Sequence, residues 1–189
     1  MSFKNLSKII HERRAIFPMV YIDKPISNKI ILDILENANW APTHKRTEPW
    51  RFKIFKGKSL NDLSQYLGDY YRQNTEKHQY SEIKFKKTVQ KPLKSGCVIA
   101  ICMYNNPEIN IPEWEEVAAV ACAVQNMWLS CTALNIGCYW SSPKSIINGN
   151  EFLGLSEHEK CLGLFYMGYT KELEFKGIRT PIEDKIEWK

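Results

Sequence analysis

The chain has 189 residues, 44% hydrophobic and 25% charged, the balance of an ordinary globular protein and too apolar for a disordered one. Its 26 Lys and Arg against 21 Asp and Glu leave a formal charge of +5, which draws anions without requiring a nucleic acid. The six cysteines form no CxxC pair and no zinc-spaced Cys/His set, so they read as reduced core thiols in a cytoplasmic protein without a metal.

The N-terminus lacks an apolar signal segment, and the length argues for a single domain over 1–189. Leu6, Ile9 and Ile10 outline a first helix that carries Arg13 and Arg14 at its end and stops near Ala15 to Pro18, because a residue before proline avoids helical angles. Ser27 caps a second helix whose Ile30, Ile31, Ile34, Leu35 and Ala38 recur on one face. Trp50 to Phe55 alternates apolar and basic residues like a half-buried strand. Ser59 and Asp62 resemble a capping box for a third helix with Leu60, Leu63, Tyr66 and Leu67 inside.

From Gln73 to Ser81 the chain turns polar and reads as mobile, so that 73–95 is a candidate lid. Gly96 to Tyr104 is continuously apolar, as a strand buried on both faces requires. A long helix follows Pro112, with Glu113, Glu115 and Glu116 at its positive end and Gly137 after its last turn. The polar interruptions of Val117 to Leu134 disfavour a membrane span, and the small apolar surface implies burial on every side, by the sheet or by a second subunit. Leu162 to Tyr169 reads as a last central strand, and 170–189 as an irregular C-terminal arm. Three or four strands among five or more helices, not strictly alternating, give an α+β class.

GxGxxG, GxxxxGK[ST] and GxSxG are all absent, which disfavours a Rossmann dehydrogenase, a P-loop NTPase and an α/β-hydrolase. Three polar clusters remain. Arg13-Arg14 is either a solvated helix end or a guanidinium clamp on phosphate; successive residues on one helix point about 100° apart. The loop APTHKRTEPW is held by Pro42 and Pro49 and displays six polar residues. NIGCYWSSP offers amides and hydroxyls at Trp140, Ser141 and Ser142, or simply a strand followed by a helix that starts at Pro143.

Taken together and in order, Arg13-Arg14-Ala15, APTHKRTEPW, the Ile-Pro-Glu-Trp lead-in to an Ala-rich helix, GCYWSS, a strand ending MGY and Arg179-Thr180-Pro181 resemble the nitroreductase family of FMN-dependent oxidoreductases. The HK form of the loop is similar to the short, single-domain NAD(P)H nitroreductases. The resemblance implies an α+β sandwich with a central mixed or antiparallel sheet flanked by helices. It also implies a homodimer with FMN at the subunit interface, the C-terminal arm packed on the partner, and ping-pong electron transfer from NAD(P)H to a nitroaromatic or quinone-like small molecule. Carried over, Arg13, Arg14, the Ala15 backbone and Arg179 contact the ribityl-phosphate end. His44 reaches the flavin of the other subunit, and Trp140-Ser141-Ser142 lies along the isoalloxazine. Arg46 is the candidate cation for the reduced flavin, and no side chain is assigned to catalysis proper.

Three residues depart from the pattern: Ala15 for serine, Phe17-Pro18 where a cation is common, and Glu48 for glutamine. They keep open a flavin-binding relative with a different reductive reaction, such as a dehalogenase-like one. Lys84, Lys86, Lys87, Lys91 and Lys94 read first as a solvated helix face and second as an electrostatic guide for NAD(P)H phosphates. A basic nucleic-acid-binding module, suggested by the isoelectric point of about 8.8, lacks any recognition motif, so nucleic acid and membrane are not expected partners.

Overall fold

The computed structural model describes residues 2–171 and 177–189. Four strands, β1 (Trp50–Phe55), β2 (Cys97–Tyr104), β3 (Ile136–Ser141) and β4 (Glu159–Tyr169), form one sheet in the order β1-β2-β4-β3. All three pairings are antiparallel, so the expected α+β class holds and the sheet has no parallel pair among the described residues. The continuous apolar run of β2 lies second in the order, where both faces are covered and Cys97 to Met103 are buried.

Side-chain alternation divides the interior into two cores. On one face Ile99, Ile101, Met103, Phe165 and Met167 pack with α2 (Asn28–Asn39) and α5 (Glu113–Ala133). On the other, Val98, Ala100, Leu164 and Tyr166 pack with α3 (Ser59–Gln73) and the short helices α6 (Lys144–Ile147) and α7 (Asn150–Leu153). Burying one such Leu or Ile is worth roughly 1.5–3 kcal/mol. Ile34, fully buried on α2, therefore does more for α2 than propensity does, although Ser27 caps that helix as expected, accepting from Ile30 N–H at 3.3 Å.

Several boundaries differ from the sequence expectation, each for a local reason. Helix α1 (Phe3–Glu12) ends before the arginines, and Arg13 is already extended at φ −56°, ψ 127°; the two guanidinium groups are therefore not spaced by helical geometry. Ser59 is the first helical residue and not the cap: its hydroxyl is engaged with the Lys56 N–H and carbonyl. Within 73–95 the helix covers Glu82–Leu93, while 74–81 is turn and irregular chain. After α3, Ser81 caps α4 (Glu82–Leu93), whose last turn contains Pro92, a residue with no N–H to give the Thr88 carbonyl. Helix α4 seats against α3 at Gly68, where a Cβ would meet Val89 Cγ1 at 2.7 Å, and Ser64 donates to the Val89 carbonyl at 2.6 Å.

After α5 the chain reverses on Asn135 at φ 54°, not on Gly137, which lies within β3. Pro143 occupies the cap position of α6 and not its first turn. Strand β4 begins at Glu159, earlier than Leu162, because Leu162 is an extra residue opposite the Ile101–Cys102 step of β2, a bulge that breaks the alternation that marks a strand. Five cysteines are buried; Cys122 is exposed with Trp114, Ala118 and Gln125, so α5 is not covered on every side within one chain.

Candidate functional site

Segment 13–22 runs along the outer edge of β3. Ile16 N–H donates to the Cys138 carbonyl at 2.9 Å, and Trp128 of α5 donates from its indole to the Arg14 carbonyl at 2.8 Å. Ala15 is thus exposed between two pinned neighbours. Farther along, the Tyr21 ring lies over the cross-strand pair Gly137–Gly168; a Cβ at Gly168 would come within 2.4 Å of it. The buried Tyr21 hydroxyl donates to the Ile16 carbonyl at 2.7 Å, so this ring is the peg that holds the segment to the sheet.

The pinned segment brings Arg13 and Arg14 to a cleft of about 980 Å3 lined also by Gln125, Trp128, Gly177 and Arg179. Its volume lies within the range of small-molecule sites. Arg13 stacks over the Trp128 ring at 4.9 Å. Burial lowers the Arg13 pKa from its ordinary value, and Arg179 and Arg14 push it further down against an opposing pull from Cys138. Arg14 and, from the other end of the chain, Arg179 thus repel Arg13 across one space, an arrangement that a polyvalent anion relieves. A Cβ at Gly177 would lie 2.5 Å from Arg14 Nη2, so the glycine lets the C-terminal segment close over the arginine.

The loop from Ala41 to Trp50 sits at the other end of α5. Lys45, Arg46 and Glu48 have φ of 48°, 55° and 45°, left-handed values that cost a non-glycine residue of order 1 kcal/mol each. Compensation comes from α5. His44 Nδ1 lies 2.5 Å from Glu115 Oε2, and the Thr47 hydroxyl donates to Glu116 Oε2 at 2.9 Å. With the Thr47 proton committed, the 2.9 Å contact between the Thr43 and Thr47 hydroxyls makes Thr43 the donor, and Thr43 accepts from Glu48 N–H at 3.2 Å. Glu48 is exposed and has no ion pair among the described residues; Arg51 instead binds the Glu48 and Trp50 carbonyls.

Trp140 packs its ring over Gly163 and gives its indole N–H to the Leu162 carbonyl at 3.2 Å. Its side chain is thereby used by the core and the bulge, leaving half-buried Ser141 and exposed Ser142 as the accessible part of that segment. Phe17 packs on Tyr139 at 4.5 Å, and the Lys91 ammonium lies over the same Tyr139 ring at 5.5 Å.

One chain therefore brings together Arg13, Arg14 and Arg179 but not His44 or Arg46: Glu115 and Trp128 are thirteen residues apart on α5, about 20 Å of helical rise. Sequence reasoning missed Gln125 and Trp128, which were absorbed into an apolar helix; their i, i+3 spacing puts both on the cleft side and was the available signal. It also read Glu115 and Glu116 as dipole partners only, since a contact across seventy residues leaves no local pattern. Among the described residues no group of three or more His, Cys, Asp or Glu could hold a metal, and no helix is long and apolar enough to cross a membrane.

Residues 10–169 match the family model described as "Nitroreductase family". The chain is 27% identical over 185 residues to "Putative NAD(P)H nitroreductase YfhC" of Bacillus subtilis, covering 96% of this chain and 92% of that protein. It is 25% identical over 151 residues to "Putative NAD(P)H nitroreductase YdjA" of Escherichia coli K12, covering 79% and 80%. Among solved structures it superposes on a nitroreductase-like family protein from Bacillus cereus with a TM-score of 0.81 at 25% identity, over 100% of this chain and 97% of the other. A Desulfovibrio desulfuricans protein described as a nitroreductase in complex with FMN shares the fold at a TM-score of 0.74 and 21% identity, over 97% and 96%.

Proposed function

On the premise that the chain belongs to the nitroreductase family, we propose that it is an FMN-dependent oxidoreductase that moves electrons from NAD(P)H to a nitroaromatic or quinone-like acceptor in two half-reactions. The observation that carries this reading is the convergence of Arg13, Arg14 and Arg179 on the Trp128 cleft. Two negative charges and three acceptor oxygens on a flavin phosphate answer three fixed guanidinium groups better than a carboxylate does. When bound, FMN supplies the two-electron chemistry, while the protein supplies position, field and access.

Arg13, Arg14 and Arg179 would hold the phosphate, with Trp128 backing Arg13 and the peptide of Ala15 presented to the ribityl chain. Because Ala15 has no hydroxyl, affinity rests on the guanidinium groups and backbone. The segment at Trp140, Ser141 and Ser142 would face the ring system through its backbone and hydroxyls, the indole being committed elsewhere. Lys84, Lys87 and Lys91 share one face of α4 at helical spacing, with Lys94 at its C-cap, and Lys91 carries that face toward β3; this favours a role in attracting NAD(P)H phosphates.

A homodimer completes the site. Phe3, Leu6, Ile10, Trp114, Ile178, Ile182 and Trp188 are all exposed in the single chain, apolar side chains that a second copy would cover. Pairing through α5 and the C-terminal arm would cover them and bring His44 and Arg46 of one protomer to the arginine cleft of the other.

The test is the visible spectrum of the purified protein, followed by anaerobic addition of NADH and then NADPH. A flavin spectrum bleached by either donor is expected. A colourless protein that does not bind FMN on titration would overturn the assignment, and a monomeric mass with bound FMN would overturn the shared site.

A further inference from the structure

The loop 43–48 is held in its left-handed turn by two neighbouring acids of α5, and each acid grips a different part of it. Glu115 is a half-buried side chain that meets His44 Nδ1 at 2.5 Å. A carboxylate only accepts, so Nδ1 carries the proton, and Nε2 is left without a partner among the described residues on a ring that is half exposed. Glu116 is 3% exposed and receives Thr47, which receives Thr43, which in turn accepts the Glu48 N–H. This chain of hydroxyls spans the three residues with positive φ, so the turn that throws His44, Lys45 and Arg46 outward is closed from beneath.

We propose that Glu115 and Glu116 are positioning residues for this loop: Glu115 sets the tautomer and direction of the His44 ring so that Nε2 is the atom offered to the ligand, and Glu116 fixes the backbone that carries it. The role at the flavin rests on the reading above, but the clamp itself does not. A histidine whose Nδ1–H is committed offers one nitrogen in one direction, where a free ring offers two in many. The loop can then present a single hydrogen-bonding atom across a subunit boundary without ordering itself at the moment of binding.

The experiment uses the full-length protein labelled with nitrogen-15 histidine, with the His44 signal identified by its loss in His44→Ala. At a pH where the ring is neutral, wild type should show the Nδ1–H form, and Glu115→Gln should keep it because the amide oxygen still accepts. Glu115→Ala should shift the ring to predominantly the Nε2–H form. An Nε2–H ring in the wild type, or no change in Glu115→Ala, would overturn the clamp whether or not FMN binds.

FMN titration of the same samples is the second arm. Thr47→Val, which preserves shape but removes the hydroxyl contacts to Glu116 and Thr43, should weaken FMN binding by at least roughly threefold. Glu115→Ala should weaken it roughly tenfold and Glu115→Gln by less. The expected tautomer change with unaltered FMN affinity in all three variants would support the clamp and remove His44 from the flavin site.

Discussion

At the Trp128 end of α5, cations face cations. At the Glu115 end, the polar groups of the loop are answered from within the chain. Arg13, Arg14 and Arg179 come from opposite ends of the sequence, and the charges of Arg179 and Arg14 lower the affinity of Arg13 for its proton, whereas His44 and Thr47 each have an acid waiting on the first turn of the helix. One region stores electrostatic repulsion that an incoming anion removes; the other stores backbone strain that the fold has already offset. The first is therefore built to bind, and the second to present.

Breaking the cleft should have the largest effect. Replacing both Arg13 and Arg179 by alanine should weaken FMN binding by about a hundredfold or more, since each charged hydrogen bond is worth roughly 1.5–3 kcal/mol; fluorescence titration of FMN reads this directly. The tautomer of His44 should stay as it was, which would separate the two regions.

Next comes the peg beneath the cleft. Gly168→Ala would drive a Cβ into the Tyr21 ring, and overpacking of that kind costs about 1–3 kcal/mol. Denaturant unfolding should record the loss, and FMN affinity should fall with it because segment 13–22 loses its hold on the sheet. Tyr21→Phe keeps the ring and removes only the hydroxyl, shared between the Ile16 and Tyr166 carbonyls, so its cost should be nearer 1 kcal/mol.

A change in pH acts on the shared core and should spare the contrast. Burial pushes the Cys97 thiol up to about 12 from its ordinary value of 9.0. Below 9 the thiol is protonated in both folded and unfolded states, and its contribution is fully present. As pH rises through the window from 9 toward 12 the unfolded chain releases the proton first, so stability falls. The loss attributable to Cys97 should be about 1 kcal/mol by roughly pH 10. Cys97→Ala should remove that part of the slope in unfolding midpoints measured across the window.

The smallest effect is that of salt. Raising ionic strength from about 0.05 to 0.5 M should weaken FMN binding a few-fold by screening the arginine cleft. The His44–Glu115 contact, made at hydrogen-bond distance, should keep its nitrogen-15 signature over the same range.

Much of this architecture was legible in local patterns. The apolar faces of α2 and α3 and the two-sided burial of β2 follow from periods of 3.6 and 2 and from turn residues, because burial of an amphipathic face needs no knowledge of its partner. Element ends were less legible. Arg13 leaves the helix, Ser59 turns its hydroxyl to Lys56 and Asn135 takes the left-handed turn assigned to Gly137, because several residues nearby could each satisfy the same backbone groups.

The sequence by itself determined the inventory of the site: an arginine pair, a proline-bracketed loop, a late arginine and a strand ending in serines, in an order that resembles one family. Only the tertiary structure decided which of these meet. It joined Arg179 to Arg13 through the closure of the C-terminal segment, drew Gln125 and Trp128 out of a helix that reads as pure core, and turned two acids into partners for His44 and Thr47. The physical reason is range. Periodicity and capping act over a few residues and are written locally, whereas charge repulsion across a cleft and a hydrogen bond over seventy positions exist only after the sheet has set the distance between their ends.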